Sequence, residues 1–245
     1  MIVTSLENEK VKKYRKLQQR KYRDEYNQYI VEGEHLVIEA YKSGSILEVL
    51  IAEDCSSAVP PIPYTYYSKE VMKKISSMDT PSSIMALCVK REDQGLKGKK
   101  FLVLDGIQDP GNLGTIIRSA VAFNIDTIVL TENTVDLYNP KVLRATQGMF
   151  FHINIIRMSG IEAMNYFNKN GIATYGTSVV NGYDVRKLSS EEKKSFALIM
   201  GNEGSGVRPE IRELCSKNLY IDMNSKVESL NVGVATSILL YELGR

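Results

Sequence analysis

A chain of 245 residues can form two modest domains or one large one, each with a buried core. The composition is that of a globular protein, and a formal charge of +2 is too even to announce a nucleic-acid partner by itself. Three cysteines without a CxxC pair and two histidines argue against a disulfide framework and a zinc site, and no apolar run reaches the roughly 18 residues of a membrane helix. The opening "MIVTSLENEK" has no apolar signal-peptide core. The expectation is a soluble, cytoplasmic protein with neither membrane nor metal as partner.

Charge is uneven at the amino end. Residues 1–30 hold eight basic side chains against four acids, with Tyr14, Tyr22 and Tyr26 interleaved. Such a stretch is either a solvated, partly amphipathic helix or a surface that grips phosphates and stacks bases. Next, "EYNQYIVEGEHLVIEAYKSG" reads as a short strand entering a helix that stops at Gly44. "ILEVLIAED" is a strand, "SKEVMKKISSM" a helix and "SIMALCVK" a strand, which together make a small α/β unit. The charged, glycine-containing "KREDQGLKGKK" at 90–100 reads as a linker, placing domains at 1–94 and 95–245.

The second half begins with "KFLVLDG", a continuous apolar strand of the fully buried kind. "NLGTIIRSAVAFN" is a helix, "DTIVLTEN" a strand, "NPKVLRATQGM" a helix and "FHINIIR" a strand. "GIEAMNYFNKNG" is a helix ended by glycine, "IATYGTS" a strand, and "FALIMGNE" a strand running into a glycine-rich loop. "RPEIRELC" is a short helix and "NLYIDM" a last strand. "NVGVATSILLYELG" closes as a helix apolar nearly all round, buried or at an interface. This alternation predicts a mainly parallel sheet with helices on both faces.

Ligands of open α/β sheets bind beyond the carboxyl ends of strands, and three polar clusters fall at such ends: 105–118, 201–206 and 224–231. The glycines of "GNEGSG" are spaced G-x-x-G-x-G, and the segment after them breaks early at Pro209. Neither a dinucleotide fingerprint nor a P-loop is present, so the loop is a plain tight turn or a close backbone approach to a flat, largely uncharged ligand. In the first cluster Asp109 or Asn112 could cap the following helix. Arg118, in the apolar "IIRSAVAF", is either snorkelling, paired, or holding a phosphate or developing oxyanion. Ser229 and Asn231 stand where the final helix begins, and capping is the simplest reading of both.

Together, "DPGNLGTIIRSA", "IMGNEGSGV" and "ESLNVGVATSILLYE", in this order and spacing, resemble the three motifs of the SpoU (TrmH-like) RNA ribose 2′-O-methyltransferases of the SPOUT superfamily. The match covers roughly residues 100–245. More loosely, "VEGEHLVIEA" and "TPSSIMAL" resemble a substrate-binding domain similar to kink-turn-binding ribosomal proteins.

The resemblance implies an α/β fold whose carboxyl-terminal SPOUT domain has a parallel sheet and a deep trefoil knot, after a small ribosomal-protein-like RNA-binding domain. It implies S-adenosylmethionine as methyl donor, contacted at Thr177, Gly201, Ile221 and Leu230. It gives Asn112, Arg118, Glu203, Ser229 and Asn231 to catalysis and to ordering the site. Arg118 has been cast as general base in the family, but a guanidinium does not readily give up its proton, so holding an RNA phosphate beside the 2′-oxygen is the safer role. Glu203 would orient loop amides or Arg118. The family pattern commonly has proline where this chain has Asp222, and often serine where it has Gly233; neither departure touches the implied chemistry, and Asp222 points to a slightly altered adenine pocket.

The implied partners are RNA, ribosomal rather than transfer RNA, and a second copy of the chain through the knotted domain. The apolar final helix with Leu239, Leu240 and Leu243 fits that dimer. A non-catalytic RNA-binding protein and a nucleotide-dependent oxidoreductase are the competing classes. The intact polar positions weigh against the first, and the missing G-x-G-x-x-G weighs against the second.

Overall fold

The computed structural model describes residues 2–55, 61–179 and 182–245. The chain divides into two compact units, Met1–Glu92 with Asp136–Phe151, and Asp93–Val135 with His152–Arg245.

In the first unit the elements run β1 (Ile2–Val3), α1 (Glu9–Lys16), α2 (Arg20–Tyr26), β2 (Gln28–Glu32), α3 (Glu34–Lys42), β3 (Ile46–Ala52), β4 (Tyr64–Tyr67), α4 (Lys69–Ile75) and β5 (Ile84–Val89). Their sheet has the order β1-β4-β3-β5-β2, with β5 antiparallel to both β2 and β3 and the remaining pairs parallel. The basic stretch is two helices instead of one. Between them Gln18 donates from Nε2 to the carbonyls of Ile75 and Ser76, at 2.9 and 2.8 Å, which anchors the break. Nor is the stretch wholly solvated, because Val11, Tyr14 and Leu17 enter a core with Tyr67, Val71 and Met72.

Residues 136–151, read from sequence as part of the second half, belong to the first unit. Local chemistry explains the assignment. Asp136 meets the buried Arg23 guanidinium at 2.6 Å, and Arg23 also donates to the carbonyls of Leu17 and Gln18. Tyr138 and Phe150 pack around the fully buried Tyr29 ring, at 4.8 and 6.1 Å between centroids. The helix α6 (Pro140–Ala145) stops before "TQGM" because Gln147 and Gly148 both take left-handed φ, of 49° and 80°.

The second unit contains β6 (Lys100–Asp105), α5 (Pro110–Ala122), β7 (Thr127–Leu130), β8 (Asn154–Arg157), α7 (Gly160–Lys169), β9 (Ala173–Thr177), β10 (Tyr183–Asp184), β11 (Phe196–Gly201), α8 (Pro209–Arg212), β12 (Lys217–Tyr220) and α9 (Val232–Leu243). All seven strands are parallel, in the order β10-β12-β9-β11-β6-β7-β8. Successive strand residues face opposite sides, yet Phe101, Leu102, Val103 and Leu104 are all fully buried, as are Ala197, Leu198 and Ile199. Both faces of the sheet are therefore covered, as its continuous apolar strands predict.

Two local features were only partly legible. Ser159 and Glu162 form a reciprocal capping box at the start of α7. Ser159→Ala is expected to lower stability by about 1 kcal/mol in urea denaturation while leaving turnover unchanged. On α9, Leu239, Leu240 and Leu243 are buried inside their own unit and cannot carry a dimer face. The exposed apolar residues of that helix are Val234, Ile238 and Tyr241, spaced along one side.

Candidate active site

The carboxyl ends of β12, β9, β11 and β6 lie side by side at one edge of the parallel sheet. The segments leaving β12, β9 and β11 enclose a cavity of about 660 Å³, lined by residues 177–179, 200–207, 212, 219, 221, 223 and 228–232, with Ala235 and Leu239 of α9. Thr177, Gly201, Ile221 and Leu230 all line it, as do Glu203, Ser229 and Asn231. Gln-free and mostly apolar or main-chain, the lining includes one basic and two acidic side chains, Arg212, Glu203 and Glu228.

The glycine loop closes on itself. Asn202 N donates to the Gly206 carbonyl at 3.0 Å and Gly206 N returns a bond to the Asn202 carbonyl at 2.9 Å. Asn202 Oδ1 accepts from the amides of Gly204 and Ser205, and its Nδ2 donates to the Gly106 carbonyl at 2.9 Å. The glycines serve different purposes. A β-carbon on Gly201 would stand 2.0 Å from Gly206 C and Val207 N, so its bareness admits the loop's own backbone before any ligand. Gly206 supplies a left-handed φ of 71°, whereas Gly204 has room around it.

The first cluster settles its own alternatives. Asp109 is the cap of α5, accepting from Asn112 N at 2.8 Å, with Pro110 at the first helical position. The Asn112 side chain is left to bridge. Its Nδ2 donates to Glu203 at 3.0 Å, and its Oδ1 accepts from Asn231 Nδ2 at 2.9 Å. Glu203 also accepts from the amides of Gln108 and Asp109, at 3.3 and 3.2 Å. Partial burial pushes the Glu203 carboxyl up, but the bond from Asn112 and those from backbone amides outweigh it and hold the group below its ordinary value. Asn231 does cap α9, through Oδ1 to Gly233 N and Val234 N, while its amide nitrogen serves the bridge. Capping and site-building coincide in one side chain.

Arg118 stands apart. It is exposed on α5, does not line the cavity, and has no hydrogen-bond or ion-pair partner among the described residues. Glu203 orients loop amides and Asn112, not Arg118. Asp222 is also outside the lining, 3.7 Å from Arg186, so the departure from proline leaves the cavity wall untouched. Gly233 lets α9 approach α5, since a β-carbon there would meet Thr115 Cγ2 at 3.2 Å.

Sequence reasoning missed a brace behind the site. Buried Asp105, at the end of β6, accepts from Arg208 N at 2.9 Å and Nε at 2.8 Å, and Arg208 Nη2 reaches Glu132 at 2.9 Å. A backbone hydrogen bond, and after it the bond from Arg208 and its positive charge, hold the Glu132 carboxyl below its ordinary value. An apolar strand ending in Asp105 was the available signal. Its partner, over 100 positions away, was not legible. Among the described residues no group of three or more His, Cys, Asp or Glu is placed to hold a metal ion.

Comparison with known proteins agrees with this geometry. Residues 99–241 match the SpoU rRNA Methylase family, and residues 8–86 match an MRM3-like substrate binding domain. The chain is 38% identical over 246 residues to the Bacillus subtilis 23S rRNA (guanosine(2553)-2′-O)-methyltransferase RlmP, covering 98% of each chain. It superimposes on an AdoMet-bound rRNA methyltransferase from Sinorhizobium meliloti with a TM-score of 0.87 and 29% identity, over 99% of this chain and 97% of that one. A SpoU methyltransferase from Streptomyces viridochromogenes, AviRb, shares the fold at a TM-score of 0.87 and 21% identity, over 97% of each chain. The three ordered motifs, the family match over residues 99–241 and the relative 38% identical over nearly the whole chain place this chain in the SpoU rRNA methylase family.

Proposed function

We propose that this protein transfers the methyl group of S-adenosylmethionine to a ribose 2′-hydroxyl of 23S ribosomal RNA in the cytoplasm, at the guanosine for which its B. subtilis relative is named. The observation that carries the reading is that two polar strand ends, 201–206 and 228–231, line one cavity, and the third is joined to both by the Glu203–Asn112–Asn231 chain.

The cavity suits that donor. Its volume lies in the range of roughly 300–1,000 Å³ typical of small-molecule sites. Met200, Ile221, Leu230 and Leu239 offer apolar surface to a flat ring, and loop main chain offers hydrogen bonds to its edges. Arg212 and Glu228 supply the opposite charges that an amino-acid zwitterion needs. Once bound, the donor presents a methyl group on positively charged sulfur, with a neutral thioether as leaving group.

The chain's own work is alignment. Four N–H donors already occupy the Glu203 carboxylate, so it orients the turn before α5 and is not the base that takes the hydroxyl proton. Ser229 lines the cavity with a hydroxyl available to the acceptor ribose. Arg118, a cation with no hydrogen-bond or ion-pair partner among the described residues, is assigned to an RNA phosphate and to the alkoxide that develops as oxygen attacks carbon. Aligning two bound reactants can supply about 7–11 kcal/mol in favourable cases.

The deep trefoil knot and the homodimer belong to this proposal. Residues 201–207 lining one cavity with 221, 223 and 228–231 support the first. Val234, Ile238 and Tyr241, 48%, 36% and 49% exposed on α9, support the second. Ile238→Asp with Tyr241→Asp is expected to convert a dimer to a monomer in sedimentation velocity. A wild-type monomer at micromolar concentration would overturn the dimer.

To test the function, purified protein is incubated with labelled S-adenosylmethionine and unmodified 23S rRNA or tRNA, beside Arg118→Ala. Label in 23S rRNA at one alkali-resistant guanosine linkage, lost in the variant, is expected. Label in tRNA alone, or none despite donor binding, would overturn the assignment.

A further inference from the structure

The eight basic side chains of the amino-terminal stretch are not equivalent, and the first unit sorts them. Lys10 is spent on Glu48 at 3.0 Å, Lys12 on Glu7 and Glu9 at 3.0 and 3.2 Å, Arg20 on Asp24 at 3.4 Å, and Arg23 is buried against Asp136. Lys13, Arg15, Lys16 and Lys21 have no acidic partner among the described residues. Three of these four line an open cleft of about 870 Å³, and Lys74 of α4 joins them across it. Glu9 is the one acid in that lining, and Lys12 already engages it.

The cleft is prepared in two ways. Gln18, through its bonds to the carbonyls of Ile75 and Ser76, ties the end of α1 to the end of α4 and fixes the floor. The tyrosines hold the cations. Lys13 Nζ sits 5.1 Å from the centre of the Tyr26 ring, and Lys16 and Lys21 lie 5.3 and 5.7 Å from that of Tyr22. The two rings are 6.2 Å apart and nearly parallel. Ammonium groups resting on aromatic faces lose less freedom when they meet an anion than lysines waving in solvent. The same contacts occupy the ring faces on which a base would stack.

We propose that this α1–α4 cleft is a docking site for the phosphodiester backbone of the RNA substrate, in which Lys13, Arg15, Lys16 and Lys74 contact phosphates and the tyrosines position the lysines instead of stacking bases. The inference rests on RNA being the substrate. It adds a phosphate-holding surface in the unit that does not contain the methyl-donor cavity.

The test measures binding of unmodified 23S rRNA transcripts to the full chain as a function of salt. Lys13→Gln/Lys16→Gln/Lys74→Gln is compared with Lys169→Gln/Lys187→Gln/Lys193→Gln, which removes the same charge elsewhere. Each phosphate contact contributes roughly 0.7–0.9 to the slope of log affinity against log salt, so the cleft variant should lose about 2 from that slope and bind more than tenfold more weakly at about 0.1 M salt. The control variant should lose neither, and calorimetric affinity for S-adenosylhomocysteine should be unchanged in both. A hairpin and an unpaired strand of equal length, run as separate arms, tell which form of backbone the cleft takes.

An unchanged slope in a folded cleft variant would overturn the proposal. So would a Tyr22→Leu variant that loses more than tenfold in affinity at constant slope, the signature of base stacking on the ring. The two readings fail separately. Salt-dependent RNA binding through the cleft without methyl transfer would sink the function and keep the docking site. Methyl transfer with an unaffected cleft variant would do the reverse.

Discussion

Replacing Gly201 by alanine is expected to abolish methyl-donor binding and methyl transfer, with a loss of stability of about 3 kcal/mol or more. The added carbon would stand 2.0 Å from Gly206 C and Val207 N and 2.4 Å from Gly206 O. These are backbone atoms, fixed by the reciprocal Asn202–Gly206 bonds, so they cannot swing aside as a flexible side chain would. Relief requires the loop to leave the end of β11, and the cavity wall leaves with it. Neighbouring glycines calibrate the claim. Gly206→Ala must hold a left-handed φ of 71°, at a cost of about 1–2 kcal/mol. Gly204→Ala meets nothing closer than Asn202 Oδ1 at 3.6 Å and should be close to neutral. Calorimetry with S-adenosylhomocysteine and chemical denaturation of the three variants would rank them 201, 206, 204. If Gly201→Ala behaved like Gly204→Ala, the steric account of this loop would be wrong.

Glu203→Ala is expected to lower kcat about 100-fold, because a hydrogen bond to a charged group contributes about 1.5–3 kcal/mol and four converge on this carboxylate, each weakened where water reaches the site. The Asn112 side chain loses its anchor and with it the register of Asn231. Glu203→Gln keeps one carbonyl oxygen for Asn112 and Asp109 but turns an NH₂ toward the Gln108 amide. It should therefore retain activity within about tenfold of wild type. The pH dependence has a definite sign. The folded-state carboxyl is held below its ordinary value, so the ordered turn is fully present above the usual glutamate range and is lost only as pH falls through the lowered value. Wild-type kcat should thus survive acidification to the ordinary glutamate pKa and fall beyond it, while Glu203→Gln should lack that acid limb. Single-turnover rates across the acid range would show it. A wild-type limb at or above the ordinary value would remove the carboxylate from the role given to it.

Much of the second unit could be read directly from the chain. Continuous apolar runs such as "KFLVLDG" and "FALIMGNE" mark strands buried on both faces, and both became central strands of the parallel sheet. The short edge strands Ile2–Val3 and Tyr183–Asp184 were missed, since two residues carry no periodicity. Residues 136–151 lie in the second half of the sequence yet pack with the first unit, which was not legible for a different reason. Their helix signal, Asn139-Pro140 before "KVLRA", is local and correct, but nothing local shows that Asp136 answers Arg23 or that Phe150 packs on Tyr29.

The site divides along the same line. Sequence by itself determined the family motifs, the residue types at the strand ends and the class of chemistry, because these depend on order and spacing along the chain. It also determined where helices begin, since caps such as Asp109 and Ser159 act within a turn of their position. The tertiary structure alone decided which polar side chain meets which. Asn112, Glu203 and Asn231 are 91 and 119 residues apart in the pairs that bond, and only the adjacency of β6 and β11 and the approach of α9 to α5 bring them within 3 Å. It alone decided that Leu239, Leu240 and Leu243 face inward while Val234, Ile238 and Tyr241 face out, because burial is fixed by what packs against a helix and not by its composition. It alone separated the four neutralised amino-terminal cations from the four with no acidic partner among the described residues, because an ion pair depends on distance in space and the chain lists only distance in sequence.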